Sequence, residues 1–341
     1  MGDRAHRPTI KEVAQHAGVS PMTVSRTLSG GLNVKPGVQK RVLAAVAELG
    51  YHRNENARSI RPGHSSGLIG VAITNIANPY YSTFALGVEE EAALAGRRIL
   101  LGNTSEDAGR EAALVSDFLG RRVDGLIVVP AGPASEHLAH SQSQGVPVVL
   151  ASRRIEGLAA DSVVLADDDG AHRGTIALID RGHTRIGYLG NALSIFTGER
   201  RHAGFVRALR ERGLDADPRL IAANQQTVDQ ARDAMRALLR AKNPPTAVVC
   251  ANNRNAIGAL KEINQQLHTG LRTADEFPEI MSFDDFELAE LSPVPISVID
   301  HDPRELGRTA ARLLLDRLDG DHRDAAPRAI ELPVSLRVGV R

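Results

Sequence analysis

Residues 9–28 read Thr9-Ile-Lys-Glu-Val-Ala-Gln-His-Ala-Gly-Val-Ser-Pro-Met-Thr-Val-Ser-Arg-Thr-Leu28, and this stretch predicts two short helices joined by a tight turn. Thr9 is a good first cap, because Glu12 stands three residues later and its side chain can close a capping box. Apolar residues then recur at helical spacing and form one stripe, which consists of Ile10, Val13, Ala14 and Ala17.

The turn and the second helix have equally clear signals. Gly18 follows the last apolar residue of the stripe, where a left-handed backbone costs glycine little. Ser20 is a good N-cap, and Pro21 suits the first helical position, where an N–H group is not needed. Val24 and Leu28 face inward, four residues apart. The remaining residues face outward, namely Pro21, Met22, Ser25, Arg26 and Ser29.

This pattern is typical of a helix-turn-helix, whose second helix enters the DNA major groove. Arg26 is then placed to pair with a guanine or a phosphate. Three hydroxyl side chains are candidates for holding phosphates, namely Ser20, Thr23 and Ser25. Spacing alone leaves an alternative, in which the two helices are a structural pair with solvated polar side chains.

The charge distribution favours the DNA-binding alternative. The chain has no net charge, but residues 1–63 hold ten Lys and Arg against four Asp and Glu, whereas the remainder holds 31 against 37. A basic head on an acidic body indicates a polyanion-binding module joined to a different function. A solvated basic surface without a partner is the alternative.

Composition excludes several other classes of protein. The 341 residues are enough for two or three units, and 42% of them are hydrophobic. The single cysteine, Cys250, lies in an apolar run without metal-ligand neighbours, so we expect it in the core. The N-terminus has no apolar signal-peptide region, and no run approaches the length of a membrane span. We therefore expect a soluble, cytoplasmic protein without a metal or cofactor.

Two further helical segments follow the first pair. Residues 34–50 carry an apolar stripe that predicts a third helix, begun near Pro36 and ended by Gly50. Asn54 can cap a short fourth helix over residues 55–61. Because this segment is too short and polar to be stable alone, it needs DNA or a second copy of itself to become ordered. A flexible linker is the alternative.

From Gly67 onward, short apolar runs alternate with helical stretches, which is typical of β-α-β units and parallel sheets. Two sets of about five strands predict two similar lobes. The first set is 68–74, 98–102, 125–129, 146–151 and 162–165, and the second is 186–189, 220–223, 247–251, 279–283 and 296–299. The predicted helices are 80–95, 109–119, 170–181, 199–212, 228–240, 255–267 and 303–318.

Several motifs in their order resemble the lactose/galactose repressor (LacI/GalR) family of bacterial transcription factors over nearly the whole chain. The most specific is the stretch from Thr9 to Arg26. The others are Val42-Leu-Ala-Ala-Val-Ala-Glu-Leu-Gly-Tyr51, Ala57-Arg-Ser-Ile60, Asn78-Pro-Tyr-Tyr81, Arg122-Val-Asp-Gly-Leu-Ile127, Arg201-His-Ala-Gly-Phe205 and Phe283-Asp-Asp285.

The resemblance implies an all-α helix-turn-helix headpiece with a hinge helix, followed by an α/β body like a periplasmic sugar-binding protein, with two parallel-sheet lobes. The implied headpiece is 1–53, the hinge helix and linker 54–63, and the effector-binding and dimerisation domain 64–341. We assign an N-lobe of about 64–165 and 296–325, and a C-lobe of about 166–295 and 326–341.

The resemblance also implies a homodimer on an inverted-repeat operator. Pro21 and Met22 stand at positions that read bases in the family, and their apolar side chains suit thymine methyl groups. Ile60 stands where a leucine usually wedges into the minor groove. The candidate DNA-binding residues are Thr9, Ser20, Pro21, Met22, Thr23, Ser25, Arg26, Asn54, Ala57 and Ile60. No leucine heptads follow Arg328, so a tetramer of that kind is not expected, although another tetramer stays open.

A small sugar-like effector is implied between the lobes. Arg201, Asn252 and Asp284 match effector-binding positions of the family, with an interlobe ion pair as the alternative role. An aromatic wall is expected from Tyr80, Tyr81 and Phe84, with Asn75 and Asn78 at its rim; core packing of Phe84 and turn capping by Asn75 are the alternatives. Ser152 and Asn253 each stand where many family members have an aspartate. The effector could therefore also be a nucleoside, a polyol or an acidic sugar.

Three other functions are alternatives to an effector-induced repressor. A transport protein would not need residues 1–63. An enzyme is not expected, because the chain has neither a Gly-x-x-x-x-Gly-Lys-Ser/Thr phosphate loop nor a Gly-x-Ser-x-Gly nucleophile elbow. The third rival is a corepressor- or nucleoside-responsive regulator of the same family, in which the effector strengthens DNA binding.

Overall fold

Two compact units make up the protein, residues 1–66 and residues 67–341, which we call the headpiece and the body. The computed structural model describes residues 8–28, 30, 33–51, 65–287, 289–320 and 325–340. Within these residues, no helix is both long and apolar enough to cross a lipid bilayer.

The described residues of the headpiece form three helices, α1 (Ile10–Ala17), α2 (Pro21–Leu28) and α3 (Pro36–Glu48). Their apolar stripes meet in a small core, which consists of Val13, Ala14, Ala17, Val24, Val42 and Ala45. The predicted helix pair and third helix are therefore confirmed, and the three stripes identified from spacing are the faces that become buried.

The ends of α1 show why the chain folds this way locally. Thr9 and Glu12 form the predicted capping box: the Thr9 N–H donates to Glu12 Oε2 at 2.6 Å, and the Glu12 N–H donates to Thr9 Oγ1. Gly18 ends the helix with φ of +63°, a conformation that strains residues with a side chain. Ser20 Oγ then accepts the Thr23 N–H at 3.2 Å and caps α2.

The body alternates strands and helices along the chain. Its elements are β1 (Leu68–Ile73), α4 (Pro79–Leu94), β2 (Arg98–Asn103), α5 (Ala108–Gly120), β3 (Gly125–Val128), α6 (Glu136–Ser143), β4 (Val148–Ala151), β5 (Asp161–Leu165), α7 (Asp167–Asp180), β6 (Ile186–Leu189), α8 (Phe196–Glu211), β7 (Ile221–Ala222), α9 (Val228–Arg240), β8 (Ala247–Cys250), α10 (Asn253–His268), β9 (Glu279–Phe283), β10 (Ile296–Asp300), α11 (Pro303–Leu318), β11 (Ala329–Leu332) and β12 (Ser335–Val340).

These strands form two six-stranded sheets, with orders β2-β1-β3-β4-β5-β11 and β7-β6-β8-β9-β10-β12. All pairs are parallel except β10 with β12, which is antiparallel. The first sheet packs against α4, α5, α6 and α11 and makes the N-lobe; the second packs against α7 to α10 and makes the C-lobe. The predicted two-lobed α/β body is thus confirmed.

The structure corrects the lobe assignment of two strands. β10, which we assigned to the N-lobe, pairs in parallel with β9 in the C-lobe sheet, with Ile296 opposite Ile280. β11, which we assigned to the C-lobe, pairs with β5 in the N-lobe sheet, with Ile330 opposite Val163. Strand pairing joins distant segments, and a short apolar run carries no signal for which sheet it joins.

Helices α4 and α11 lie in very close contact on one face of the N-lobe sheet. A Cβ atom at Gly307 would lie 2.1 Å from the Phe84 carbonyl oxygen, and one at Gly87 would lie 2.0 Å from the Arg304 carbonyl oxygen. Both positions therefore require glycine. This contact fixes the helix whose first turn carries Tyr80 and Tyr81 toward the cleft between the lobes.

Candidate functional site

Both lobes bring the carboxyl ends of their parallel strands to the cleft between them. Each sheet has the doubly wound 2-1-3-4-5 order, which leaves a ligand crevice outside the carboxyl ends where the strand order reverses. One cavity lies there, and its lining is mostly polar. It consists of Asn75, Asn78, Tyr80, Tyr81, Glu106, Ser152, Arg153, Asn191, Ile195, Thr197, Arg201, Gln226, Asn252, Arg254 and Asp284.

The cavity is small in this structure, with a volume of about 80 Å³. Pockets for drug-sized ligands are typically ~300–1,000 Å³, and one liquid water occupies ~30 Å³. The lobes are therefore closed on one another to a degree that admits only a few waters. A sugar-sized ligand requires the cleft to widen.

Arg201 is the central charged group of the cleft, and helix α8 supplies it. Its Nε donates to Asp167 Oδ1 at 2.7 Å, and its Nη1 donates to the Ala251 carbonyl oxygen at 2.5 Å. Nη1 also lies 3.6 Å from Asp284 Oδ2. The guanidinium stacks on the Phe283 ring, with Cζ 3.6 Å from the ring centroid. Arg201 thus fixes two buried carboxylates at the cleft floor.

Burial sets the electrostatics of this cluster. It raises the pKa of Asp167 to about 6, although the neighbouring Arg201 charge lowers it. For Arg201, burial alone would lower the pKa, but the carboxylates of Asp167 and Asp284 raise it, so the guanidinium stays charged. Asp284 has φ of +67° and a side chain that is 8% exposed, and its Oδ1 has no hydrogen-bond partner among the described residues.

His301 lies behind Asp284 where the chain leaves β10 for the N-lobe. Its Nδ1 is 3.8 Å from Asp284 Oδ1, and neither ring nitrogen has a hydrogen-bond partner in the described part of the chain. Burial lowers the pKa of His301, and the Asp284 charge opposes this shift. Burial therefore favours the neutral imidazole at the crossover between the lobes.

The N-lobe wall combines an aromatic pair with a partly buried ion pair. Tyr80 and Tyr81 pack edge to face, with ring centroids 4.9 Å apart, and the Tyr80 hydroxyl lies 3.1 Å from Ser152 Oγ. Arg153 makes a bidentate ion pair with Glu106, at 2.6 and 2.8 Å, and also donates to the Pro130 carbonyl oxygen. Arg153 is thus neutralised within its own lobe.

A reciprocal pair of amides joins the two lobes. Asn253 Nδ2 donates to Asn78 Oδ1 at 2.8 Å, and Asn78 Nδ2 donates to Asn253 Oδ1 at 3.2 Å. Both side chains are buried. Beside them, Asn252 Oδ1 caps α10 by accepting the Asn255 N–H at 2.8 Å, and Asn252 Nδ2 donates to Asn191 Oδ1. The closed arrangement satisfies these amides without a ligand.

The structure brings seven of the eight predicted effector-site residues to this cavity: Asn75, Tyr80, Tyr81, Ser152, Arg201, Asn252 and Asp284. Phe84 is the exception, because it is fully buried in the core against the sheet and does not line the cavity. Its core alternative is therefore the one that the structure supports. Asn75 lines the cavity and also makes a turn, since its Oδ1 accepts the Ala77 N–H at 3.1 Å.

The headpiece presents the predicted DNA-facing side chains on α2. Pro21 and Arg26 are exposed, and Met22 is 64% exposed although it is large and apolar. Ser20 is exposed, and Thr23 and Ser25 are half-buried. Thr9 is exposed while its side chain completes the capping box. Four residues lie outside the described residues, namely Ser29, Asn54, Ala57 and Ile60.

Both the headpiece and the body match models of known protein families. A model described as bacterial regulatory proteins, lacI family, matches residues 9–54, and one for a periplasmic binding protein-like domain matches residues 176–339. Catabolite control protein A of Priestia megaterium is 30% identical over 326 residues, which cover 95% of this chain and 96% of that protein. The chain belongs to the LacI family.

Other LacI-family proteins are similar over the same length. The HTH-type transcriptional repressor PurR of Aliivibrio salmonicida is 31% identical, over 93% of this chain and 94% of that protein. The Lac repressor dimer bound to operator and the anti-inducer ONPF has a TM-score of 0.82 at 26% identity, over 98% of this chain and 99% of that chain. The chain is therefore a transcriptional regulator rather than an enzyme, as the sequence predicted.

Membership of the LacI family does not by itself give the whole lining of the cleft. Sequence reasoning missed Glu106, Asn191, Gln226 and Arg254, which all line the cavity. They follow β2, β6, β7 and β8, so the polar residues directly after predicted strands were the available signal. Among the described residues, no group of His, Cys, Asp and Glu could hold a metal ion.

Proposed function

We propose that the protein is a homodimeric repressor that binds an inverted-repeat operator and responds to a small polar effector in the interlobe cleft. The convergence of seven predicted side chains on one cavity carries this proposal. The proposed effector-binding residues are Asn75, Tyr80, Tyr81, Ser152, Arg201, Asn252 and Asp284. Their hydroxyl, amide and carboxylate groups, beside two tyrosine rings, suit a polyhydroxylated ligand.

The headpiece supplies the DNA contacts in this proposal. α2 enters the major groove, where exposed Pro21 and Met22 meet thymine methyl groups and Arg26 binds a guanine or a phosphate. The proposed DNA-binding set is Thr9, Ser20, Pro21, Met22, Thr23, Ser25, Arg26, Asn54, Ala57 and Ile60. A bacterial regulator that binds DNA acts in the cytoplasm, which is the location that we propose.

An apolar groove of the body supports self-association. It has a volume of about 670 Å³ and lies between the start of α4, one face of α10 and residues 284–287 and 291–293. Leu291 at its rim is 77% exposed, and Ile257 and Phe286 line it. Exposed apolar patches of this kind mark interaction sites. We propose that a second copy of the chain covers the groove. Analytical ultracentrifugation of the wild type and Leu291→Glu tests this proposal. The variant should shift toward monomer, because a charge at the rim would oppose the apolar contact.

The effector would act through the difference between its affinities for two lobe arrangements. The closed cavity is too small for a sugar, so binding must select a wider cleft, and the dimer would transmit this change to the headpieces. If the effector weakens operator binding, the protein is an inducible repressor. If it strengthens operator binding, the corepressor-responsive alternative holds.

The proposal is tested by selecting operators from random duplex DNA with the full chain. The affinity for the selected operator is then measured by fluorescence anisotropy. We expect an inverted repeat and a steep loss of affinity with added salt, because counterion release dominates such binding. Arg26→Ala should weaken operator binding about 5- to 150-fold, whereas Arg210→Ala on the exposed end of α8 should not. A flat salt response or equal effects of the two substitutions would contradict the headpiece assignment.

A further inference from the structure

The charged side chains of the cleft are unequal in one respect. Arg153 is paired with Glu106, and Arg201 is paired with Asp167 and Asp284. Arg254 also lines the cavity, yet it makes no ion pair and no hydrogen bond with any residue that the structure describes. It is therefore the unneutralised cation of the described cleft lining.

Arg254 is held in a place where water cannot fully replace a partner. It is half-buried, and its Nε atom is shielded from solvent without a hydrogen-bond partner in the described chain. A buried donor of a charged group that lacks a partner is costly, and more so for a cation than for a neutral group. An acceptor that enters with a ligand would remove this cost.

The backbone around Arg254 adds to the positive potential. Arg254 is the second residue of α10, directly after Asn253, and the cap Asn252 also lines the cavity. The N-terminus of this 16-residue helix therefore borders the cleft and favours negative charge there. The N-terminus of α10 and the Arg254 guanidinium therefore both favour an anion on the same side of the cavity.

At the cleft floor, Asp284 needs a hydrogen-bond donor, whereas Arg254 needs an acceptor. Asp284 is 6% exposed and lines the cavity, and its Oδ1 accepts no hydrogen bond within the described residues. A carboxylate oxygen in this position needs a donor such as a ligand hydroxyl. The cavity thus offers an acceptor for hydroxyl groups at Asp284 and a free cation at Arg254.

We propose that the effector is a polyhydroxylated molecule with one anionic group, a phosphate monoester or a carboxylate, and that Arg254 binds this group. The inference rests on the proposed effector function of the cleft and specifies the chemical class of its ligand. A guanidinium binds both anions through paired N–H donors, so the two share one recognition chemistry. Neutral sugars lack the group that Arg254 requires.

The first test uses inorganic phosphate as the probe on the full chain. Thermal shift is measured with increasing phosphate at constant ionic strength for the wild type, Arg254→Gln, Arg254→Lys and the matched control Arg210→Gln. We expect phosphate to raise the melting temperatures of the wild type, Arg254→Lys and Arg210→Gln by more than that of Arg254→Gln. The four proteins share the same headpiece, so phosphate bound there contributes equally to each, and the differences between them report on the body.

The second test compares sugars with their own anionic derivatives. Pentoses and hexoses are paired with their phosphate monoesters and aldonic acids, and affinities are measured by calorimetry. The anionic member should bind at least about tenfold more tightly than its parent, and Arg254→Gln should remove this preference. Circular dichroism checks that Arg254→Gln is folded, which is expected because Arg254 has no partner within the described structure.

The outcomes separate the inference from the proposed function. If neutral sugars bind as tightly as their anionic derivatives and change operator affinity, the anion inference is wrong while the regulatory function stands. If an anionic ligand binds equally to the wild type and Arg254→Gln, Arg254 is not its receptor. If neither class binds and neither changes operator affinity, the inference and the effector function both fail.

Discussion

Replacement of Arg201 by alanine tests whether the cleft floor is built on this one side chain. The guanidinium makes two short hydrogen bonds, to Asp167 and to the Ala251 carbonyl oxygen, and lies against Asp284 and the Phe283 ring. Its removal leaves two buried carboxylates without a cation. Breaking a buried ion pair by removing one partner costs about 3–5 kcal/mol.

The expected result is therefore a large loss of stability of the body. At ~2–4 °C per kcal/mol for a unit of this size, a loss of about 3–5 kcal/mol lowers the melting temperature by roughly 6–20 °C. Urea unfolding followed by circular dichroism measures the free energy of unfolding directly. Asp167→Asn in the Arg201→Ala background should restore part of the loss, because the neutral amide does not need the missing cation.

Arg212→Ala is the matched control. Arg212 is paired with Asp180 at 2.6 Å, but the two side chains are 39% and 53% exposed. A surface pair of this kind contributes only about 0–1 kcal/mol. If Arg201→Ala lowered the free energy of unfolding no more than Arg212→Ala, the description of Arg201 as the anchor of the cleft floor would be refuted.

Three other substitutions test the helix packing, the charge of the cleft floor and the first helix cap. Gly307→Ala should lower the melting temperature of the body, because the new Cβ meets the Phe84 carbonyl oxygen and overpacking costs ~1–3 kcal/mol. Gly120→Ala is the control: its Cβ meets nothing within 4 Å, so this substitution should be neutral or stabilising. Asp167 has a pKa of about 6 in the folded chain against 3.8 unfolded, so the folded state binds more protons between these values. The free energy of unfolding of the wild type should thus fall relative to Asp167→Asn by up to ~3 kcal/mol as the pH rises from 4 to 7, and equal pH profiles in urea titrations would contradict this. Thr9→Ala removes the capping box and should cost α1 about 1 kcal/mol, seen as faster amide hydrogen exchange across that helix alone.

Much of the fold is local in origin, and the sequence predicted those parts well. The caps at Thr9 and Ser20 and the turn at Gly18 involve residues three or four positions apart, so their signals lie within one short window. The same is true of the buried strands, since a run such as 125–128 is apolar at every position. These elements therefore follow from spacing and residue type.

Elements with weak local signals were missed. α6 has only one large apolar residue in its polar sequence, Leu138, which is fully buried against the sheet. β11 and β12 lie at the edges of their sheets, and β11 is only half-buried. Edge strands need fewer apolar residues, so the apolar runs that marked central strands were absent there.

The residues of the candidate site were also predicted only where the sequence carried a signal for them. Arg201, Asn252 and Asp284 were found through motif resemblance, but the partner of Arg153 was not, because Glu106 is 47 residues away and only the fold brings them together. For the same reason, the unpaired state of Arg254 could not be predicted. Whether a charge is neutralised depends on distant residues, and it decides which ligand a cleft can bind.

The most direct test of the account measures the coupling between the cleft and DNA. Operator affinity of the full chain is determined by fluorescence anisotropy with and without a ligand that raises its melting temperature, and ligand affinity is determined with and without operator. Because the coupling is reciprocal, the two affinities should change by the same factor, about 5- to 150-fold, and residues 67–341 alone should bind the ligand but not the operator. A ligand that occupies the cleft and leaves operator affinity unchanged would contradict it.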